Sequence, residues 1–131
     1  MLLDTAGLLC FHHVREPQHA EAVRLVSAAR RLLTHNYVLA EFQALAHRRR
    51  IPRAATLALL SDLLDNQLVE VVFVDEALHR RGVMLLQNRP DKNWSLCDAV
   101  SFELMSDFGV TEALTTDHHF EQAGFVRLLR P

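Results

Sequence analysis

A chain of 131 residues and 14.9 kDa has the size of one domain, long enough for one substantial core and too short for two. Half of it is hydrophobic and 23% is charged, with four glycines and four prolines, which excludes a disordered, collagenous or low-complexity chain. Fourteen Lys and Arg against sixteen Asp and Glu leave a formal charge of −2, so no global basic field serves a polyanion or a membrane, and a polyanion partner must be held by a local patch.

Met1-Leu2-Leu3 is a short apolar segment, a predicted strand, and it runs directly into Asp4. Its start has neither the basic residues nor the long apolar run of a signal peptide, so the expectation is a cytoplasmic protein. Ala6 to Phe11 reads as a helix, and Pro17 breaks the chain before a second one from Gln18 to Ala29, with Ala20, Val23, Val26 and Ala29 at helical spacing. Arg31 to Thr34 is the second strand and Tyr37 to Arg49 the next helix; Pro52 then suits an early position in a helix ending near Asp65.

The β-branched and aromatic run Val69 to Val74 is the clearest strand, and Asp75 after it is a good cap for a helix through Gln87. Ser95 caps a helix over Leu96 to Phe108 that Gly109 closes, followed by a strand at Glu112 to Thr115, a short helix at His118 to Ala123 and a last strand at Phe125 to Leu129. No apolar run approaches the roughly 20 residues of a membrane span. Strands separated by helices imply βαβ units, hence an α/β fold with a mostly parallel central sheet flanked by helices. In such sheets ligands sit beyond the carboxyl ends of the strands, where strand order reverses. Asp4 and Thr115-Thr116-Asp117 would approach each other there if the first and fourth strands are neighbours.

Four acids follow buried segments or sit among apolar helix residues: Asp4, Glu41 after Val38-Leu39-Ala40, Asp98 between Leu96-Cys97 and Ala99-Val100, and Asp117. Carboxylates gathered in a buried place repel one another and take up protons unless a divalent cation neutralises them. Oxygen-only ligation suits Mg²⁺ or Mn²⁺, which activate water at a phosphodiester.

The runs Leu2-Leu3-Asp4-Thr5, Val38-Leu39-Ala40-Glu41, Trp94-Ser95-Leu96-Cys97-Asp98-Ala99-Val100-Ser101-Phe102 and Leu114-Thr115-Thr116-Asp117-His118-His119-Phe120, with Ala123-Gly124-Phe125, resemble the PIN-domain ribonucleases, especially their VapC-like toxins. The resemblance spans the whole chain and lies in four motifs in the right order. It implies a metal site of Asp4, Glu41 and Asp98 with Asp117 as a more variable fourth member, and Thr5, Ser95 and Thr116 as polar neighbours that orient a carboxylate. It further implies an RNA substrate, a cognate antitoxin protein and a homodimer. Thr34-His35 departs from the family, whose members often carry consecutive Ser or Thr before this helix.

Competing readings attach to several of these residues. Ser95-Leu96-Cys97-Asp98 fits a capping box, Thr5 a helix cap, and Asp117 a cap for the last helix. The pairs His12-His13 and His118-His119 lack the spacing of a tetrahedral zinc site, and Cys10 and Cys97 read as small buried hydrophobes in a reducing compartment. Arg48, Arg49, Arg50 and Arg53 either hold RNA phosphate or complement a helix C-terminus. Trp94, beside Lys92 and Arg89, either stacks a base or shelters the start of its helix, and the second reading is preferred. A receiver or haloacid-dehalogenase phosphatase is disfavoured, because Asp4 has neither an adjacent acid nor an Asp two residues on. The expectation is a Mg²⁺- or Mn²⁺-dependent endoribonuclease; the alternative is an inert PIN-like module that binds RNA or protein.

Overall fold

The computed structural model describes residues 1–131. Five strands, β1 (Leu2–Leu3), β2 (Leu32–His35), β3 (Val69–Val72), β4 (Glu112–Leu114) and β5 (Val126–Arg127), form one parallel sheet in the order β3-β2-β1-β4-β5. Seven helices connect and cover them: α1 (Thr5–His12), α2 (His19–Ala28), α3 (Asn36–Arg48), α4 (Arg53–Asp65), α5 (Glu76–Asn88), α6 (Leu96–Phe108) and α7 (His119–Gln122).

Side chains alternate across a strand, so consecutive apolar residues in a parallel strand must both find cover. Leu3, Leu32 and Leu114 join a core with Leu8, Val38, Phe42 and Leu63 from α1, α3 and α4. Their strand neighbours Leu2, Leu33 and Ala113 join a second core with Leu78, Val100, Met105 and Phe120 from α5, α6 and α7. Each fully buried Leu or Phe contributes about 1.5–3 kcal/mol, which outweighs the modest helix propensities of these short segments.

The register puts Leu3 beside Leu114, so β1 and β4 are neighbours and strand order reverses between them. Gly7 lets α1 lie against that pair: a Cβ there would stand 1.8 Å from the Leu114 carbonyl oxygen. Any other residue would push α1, and Asp4 at its start, off β4.

Several element ends differ from the sequence expectation. β3 stops at Val72 because β2, its only partner, stops at His35; Phe73 is exposed and the Val74 amide donates instead to the Asn36 side chain at 2.7 Å. β5 keeps only Val126 and Arg127, although the Leu128 and Leu129 amides still donate to the Ala113 and Thr115 carbonyls at 3.0 and 3.2 Å. Pro52 stands just before α4, not inside it, where its missing N–H costs nothing. α3 is closed by Arg50 in the left-handed region at φ 57°, which lets the Ile51 amide reach the Ala46 carbonyl at 3.0 Å.

Candidate active site

Asp4 is the last residue before α1, at the carboxyl end of β1, and is buried. Its Oδ2 accepts a hydrogen bond from Thr115 Oγ1 at 2.7 Å, and the same hydroxyl oxygen accepts the Asp117 amide at 3.0 Å. The reversal of strand order therefore brings the first and fourth strand ends together through one threonine. Burial, in the first place, pushes the Asp4 carboxyl up to about 7; the Thr115 and Thr5 donors pull it down, and the charges of Asp98 and Glu41 push it up further. The acids of three separate chain segments are within electrostatic reach of one another.

Asp98 enters from the first turn of α6. The capping box is present: Ser95 Oγ accepts the Asp98 amide at 3.0 Å, and Asp98 Oδ2 accepts the Ser95 amide at 3.0 Å. Capping and a place in the acid cluster are compatible, because a carboxylate has more acceptor capacity than one cap uses. Asp98 Oδ2 also lies 3.1 Å from His119 Nδ1, which in turn lies 3.4 Å from Asp117 Oδ2. Asp117 Oδ1 takes the His119 amide at 2.9 Å, so Asp117 does restrain the start of α7 as well.

Glu41 does not share this burial. It is exposed on α3, as is Ala40, and reaches the cluster through its charge. The residue that lies among the acids unannounced by the sequence is Cys97. Its thiol is raised well above the ordinary value by burial and then by Glu41, Asp4 and Asp98, so it is held protonated and is a poor nucleophile.

Of the expected polar neighbours, Ser95 holds Asp98 as described, but Thr116 does not serve Asp4. Its carbonyl accepts Arg127 at 3.0 Å, and Thr115 occupies the role, because the side chain that turns towards β1 is the one immediately after β4. Asp4 fills the cap position of α1, so Thr5 is not a cap; its Oγ1 is buried without a partner. Thr34 and His35 are structural. Thr34 Oγ1 donates to the Leu3 carbonyl at 3.0 Å and His35 Nε2 meets Ser101 Oγ at 2.8 Å, with burial holding the imidazole down near 4 and so neutral. Trp94 is buried against Phe102, donates to Gln122 at 3.0 Å and is covered by Arg89, as a residue sheltering α6 would be.

The donor set fits a hard divalent cation. No Lys or Arg pairs with Asp4, Glu41, Asp98 or Asp117, whereas Glu103 and Asp107 on the same helix α6 both meet Arg81, at 2.6 and 2.7 Å. An uncompensated carboxylate group with a spare buried hydroxyl at Thr5 suits the oxygen preference of Mg²⁺ or Mn²⁺. In the basic run, Arg49 is tied to Glu16 at 2.9 Å, while Arg48, Arg50 and Arg53 are exposed and meet no acid.

Comparison with known proteins agrees with this geometry. The PIN domain family model matches residues 1–126. The 23S rRNA-specific endonuclease VapC20 of Mycobacterium tuberculosis (strains CDC 1551 / Oshkosh and ATCC 25618 / H37Rv) is 30% identical over 129 residues, covering 98% of this chain and 97% of that protein. The crystal structure of Mycobacterium tuberculosis VapC20, described as a sarcin-ricin loop cleaving toxin, superposes with a TM-score of 0.87 at 28% identity, covering 99% of this chain and 98% of the other. With its acids gathered where β1 and β4 part, its five-stranded parallel sheet and these matches, the chain belongs to the PIN-domain family, in the VapC-like ribonuclease toxin branch.

Proposed function

We propose that this chain is the toxin of a toxin–antitoxin pair and cleaves RNA in a Mg²⁺- or Mn²⁺-dependent reaction, with Asp4, Glu41, Asp98 and Asp117 holding the metal. The observation that carries the reading is the state of Asp4: buried, pushed up to about 7 partly by Asp98 and Glu41, and paired with no basic side chain. A cation that relieves this repulsion is a binding partner the fold has prepared for. When bound, such an ion supplies an activated water and neutralises charge at the phosphodiester.

The protein's own groups do the positioning. Thr115 donates to Asp4 Oδ2 and so fixes which lone pairs face outward, and the Ser95 amide does the same for Asp98. Thr5 has a hydroxyl free to hold water beside Asp4. Arg48, Arg50 and Arg53, with Arg49 held by Glu16, form a basic rim for RNA phosphate; Arg48 lies two helical turns from Glu41 on α3, about 10 Å along the axis. The similarity to a 23S rRNA-specific endonuclease favours ribosomal RNA as the substrate class, and the branch favours a cognate antitoxin protein and a homodimer.

The test is purified protein with ribosomal RNA and intact ribosomes in Mg²⁺, Mn²⁺ or excess chelator, with sequencing of the new RNA ends. Discrete metal-dependent cuts are expected. Cleavage that persists in chelator, or no cleavage of any RNA with either ion, overturns the reading and leaves a binding module.

A further inference from the structure

His118 and His119 are neighbours in sequence, without the spacing of a tetrahedral zinc site, yet their rings do not point apart. α7 begins only at His119, with His118 at its cap position, and the two rings come to 4.6 Å between centroids. The donor atoms of Asp117, His118 and His119 all lie within 4.8 Å of one another.

We propose that His118 and His119, together with Asp117 and Asp98, form a mixed nitrogen–oxygen site for a Zn²⁺-class transition-metal ion at the solvent edge of the acid cluster. Two donors bound about 2.1 Å from one ion stand about 3.0 Å apart at an octahedral edge and about 3.4 Å at a tetrahedral one. The distances are 3.7 Å from Asp117 Oδ1 to His118 Nδ1, 3.4 Å from Asp117 Oδ2 to His119 Nδ1, and 3.1 Å from Asp98 Oδ2 to His119 Nδ1. His118, the outermost side chain at 63% exposure, has room to turn towards the ion, and Asp98 joins the Asp117–His118–His119 group through His119, the donor it adjoins.

Two further observations separate this arrangement from a chance gathering. Asp98 comes from the start of α6 and the rest from the end of the β4–α7 connection and the first residue of α7, so the fold and not local chain order brings Asp98 to the other three. The cations that could have satisfied these acids are committed elsewhere: Arg127 to the Thr116 carbonyl and Glu121, and Arg130 to Glu121. The two imidazoles are what remain. Imidazole nitrogen ranks Zn²⁺ and its neighbours far above Mg²⁺, so this position, which shares Asp98 and Asp117 with the proposed all-oxygen set, selects a different ion through its two imidazoles. The inference concerns ion binding alone and holds whether or not the acid cluster cleaves RNA.

The experiment titrates ZnCl₂ into metal-stripped full-length protein carrying Asp4→Asn and Glu41→Gln, which removes the two acids that the proposed Mg²⁺ or Mn²⁺ set does not share with this position and leaves Asp98, Asp117, His118 and His119 whole. Calorimetry is expected to give one Zn²⁺ per chain, and X-ray absorption at the zinc edge to show two imidazoles. Adding His118→Asn and His119→Asn is expected to weaken binding at least about 30-fold, and His118→Asn alone, at an exposed position whose side chain makes no cap hydrogen bond, about tenfold. Affinity within about threefold of the parent in the single variant, or an edge spectrum with one imidazole or none, overturns the proposal.

Discussion

The two ends of α6 carry acids in opposite circumstances. At its C-terminal half, Glu103 and Asp107 are half exposed and converge on Arg81, which takes both in a fork spanning α5 and α6. At its N-terminal end, buried Asp98 lies within electrostatic reach of buried Asp4, which exposed Glu41 also reaches through its charge, with imidazoles nearby but no guanidinium or ammonium. The same helix shows that this fold pairs acids when they serve structure. Leaving the other group unpaired costs stability, and a cost borne at one place on the sheet edge marks where binding energy is to be recovered.

The largest expected effect of breaking that contrast is on chemistry. Asp4→Asn, Glu41→Gln and Asp98→Asn should each lower the cleavage rate by at least about two orders of magnitude, the scale for a ligand or activating group, whereas Arg81→Ala should leave the rate per folded molecule within about twofold. Single-turnover assays at saturating Mn²⁺ compare them. Equal losses in both groups would mean that the unpaired acids have no part in the chemistry beyond that of the paired ones.

Stability against pH sharpens the comparison. The folded Asp4 carboxyl, raised to about 7 from an ordinary 3.8, binds its proton more tightly than the unfolded chain does. Its favourable contribution is therefore full below about pH 4 and is lost as pH rises towards 7. His35, lowered to about 4 by burial from an ordinary 6.5, acts oppositely: its contribution is full above pH 6.5 and is lost as pH falls towards 4. In chelator, Asp4→Asn should gain on the parent as pH goes from 5 to 8, by several degrees in Tm for a domain of this size, where about 1 kcal/mol shifts Tm by roughly 3–5 °C. Saturating Mn²⁺ should erase the gain. A variant-to-parent difference that is flat from pH 5 to 8 would remove the repulsion from the account.

What the sequence conveyed follows from what is local. The strands are apolar runs and the α6 start is a four-residue motif, so β1, β3, the Ser95 cap and the acids at the strand ends could be read along the chain. Pairing between distant segments could not. Whether Thr115 or Thr116 meets Asp4 depends on the β1–β4 register, and the length of β3 depends on where β2 ends. His119 and Cys97 join the acids only because α7 and α6 converge on the end of β1. Glu41 illustrates the reverse error, since its apolar neighbours suggested burial while α3 turns it outward. The order of the four motifs carried the family, and one-dimensional order is something a sequence does preserve.

At the paired end of α6, Arg81→Ala should cost no more than about 1 kcal/mol, since the fork is partly exposed and such pairs are weakened by solvent and salt. The loss should shrink further in 0.5 M NaCl, as screening already supplies what the guanidinium did. Chemical denaturation at two salt concentrations checks this. A loss above about 2 kcal/mol that is indifferent to salt would show that the arginine stem, packed between α5 and α6, matters more than its charge.

The smallest net effect is expected at the unpaired end, from Asp98→Asn in chelator, because two changes there oppose each other. Neutralising Asp98 removes a negative charge from the positive end of α6, worth about 0.3–1 kcal/mol, and weakens its contact with His119. It also removes a charge that repels Asp4. The asparagine oxygen can still accept the Ser95 amide, so the cap itself survives. The chelated Tm should therefore move by no more than about 3 °C in either direction, by the same conversion of free energy to melting temperature. Mn²⁺ separates the two roles where the chelated melt does not. A ligand's loss abolishes the thermal protection that Mn²⁺ gives the parent, while a cap's loss leaves that protection intact whatever happens to the baseline. Normal Mn²⁺ protection in Asp98→Asn would reduce Asp98 to a helix cap and make the likeness between the two ends of α6 closer than the geometry suggests.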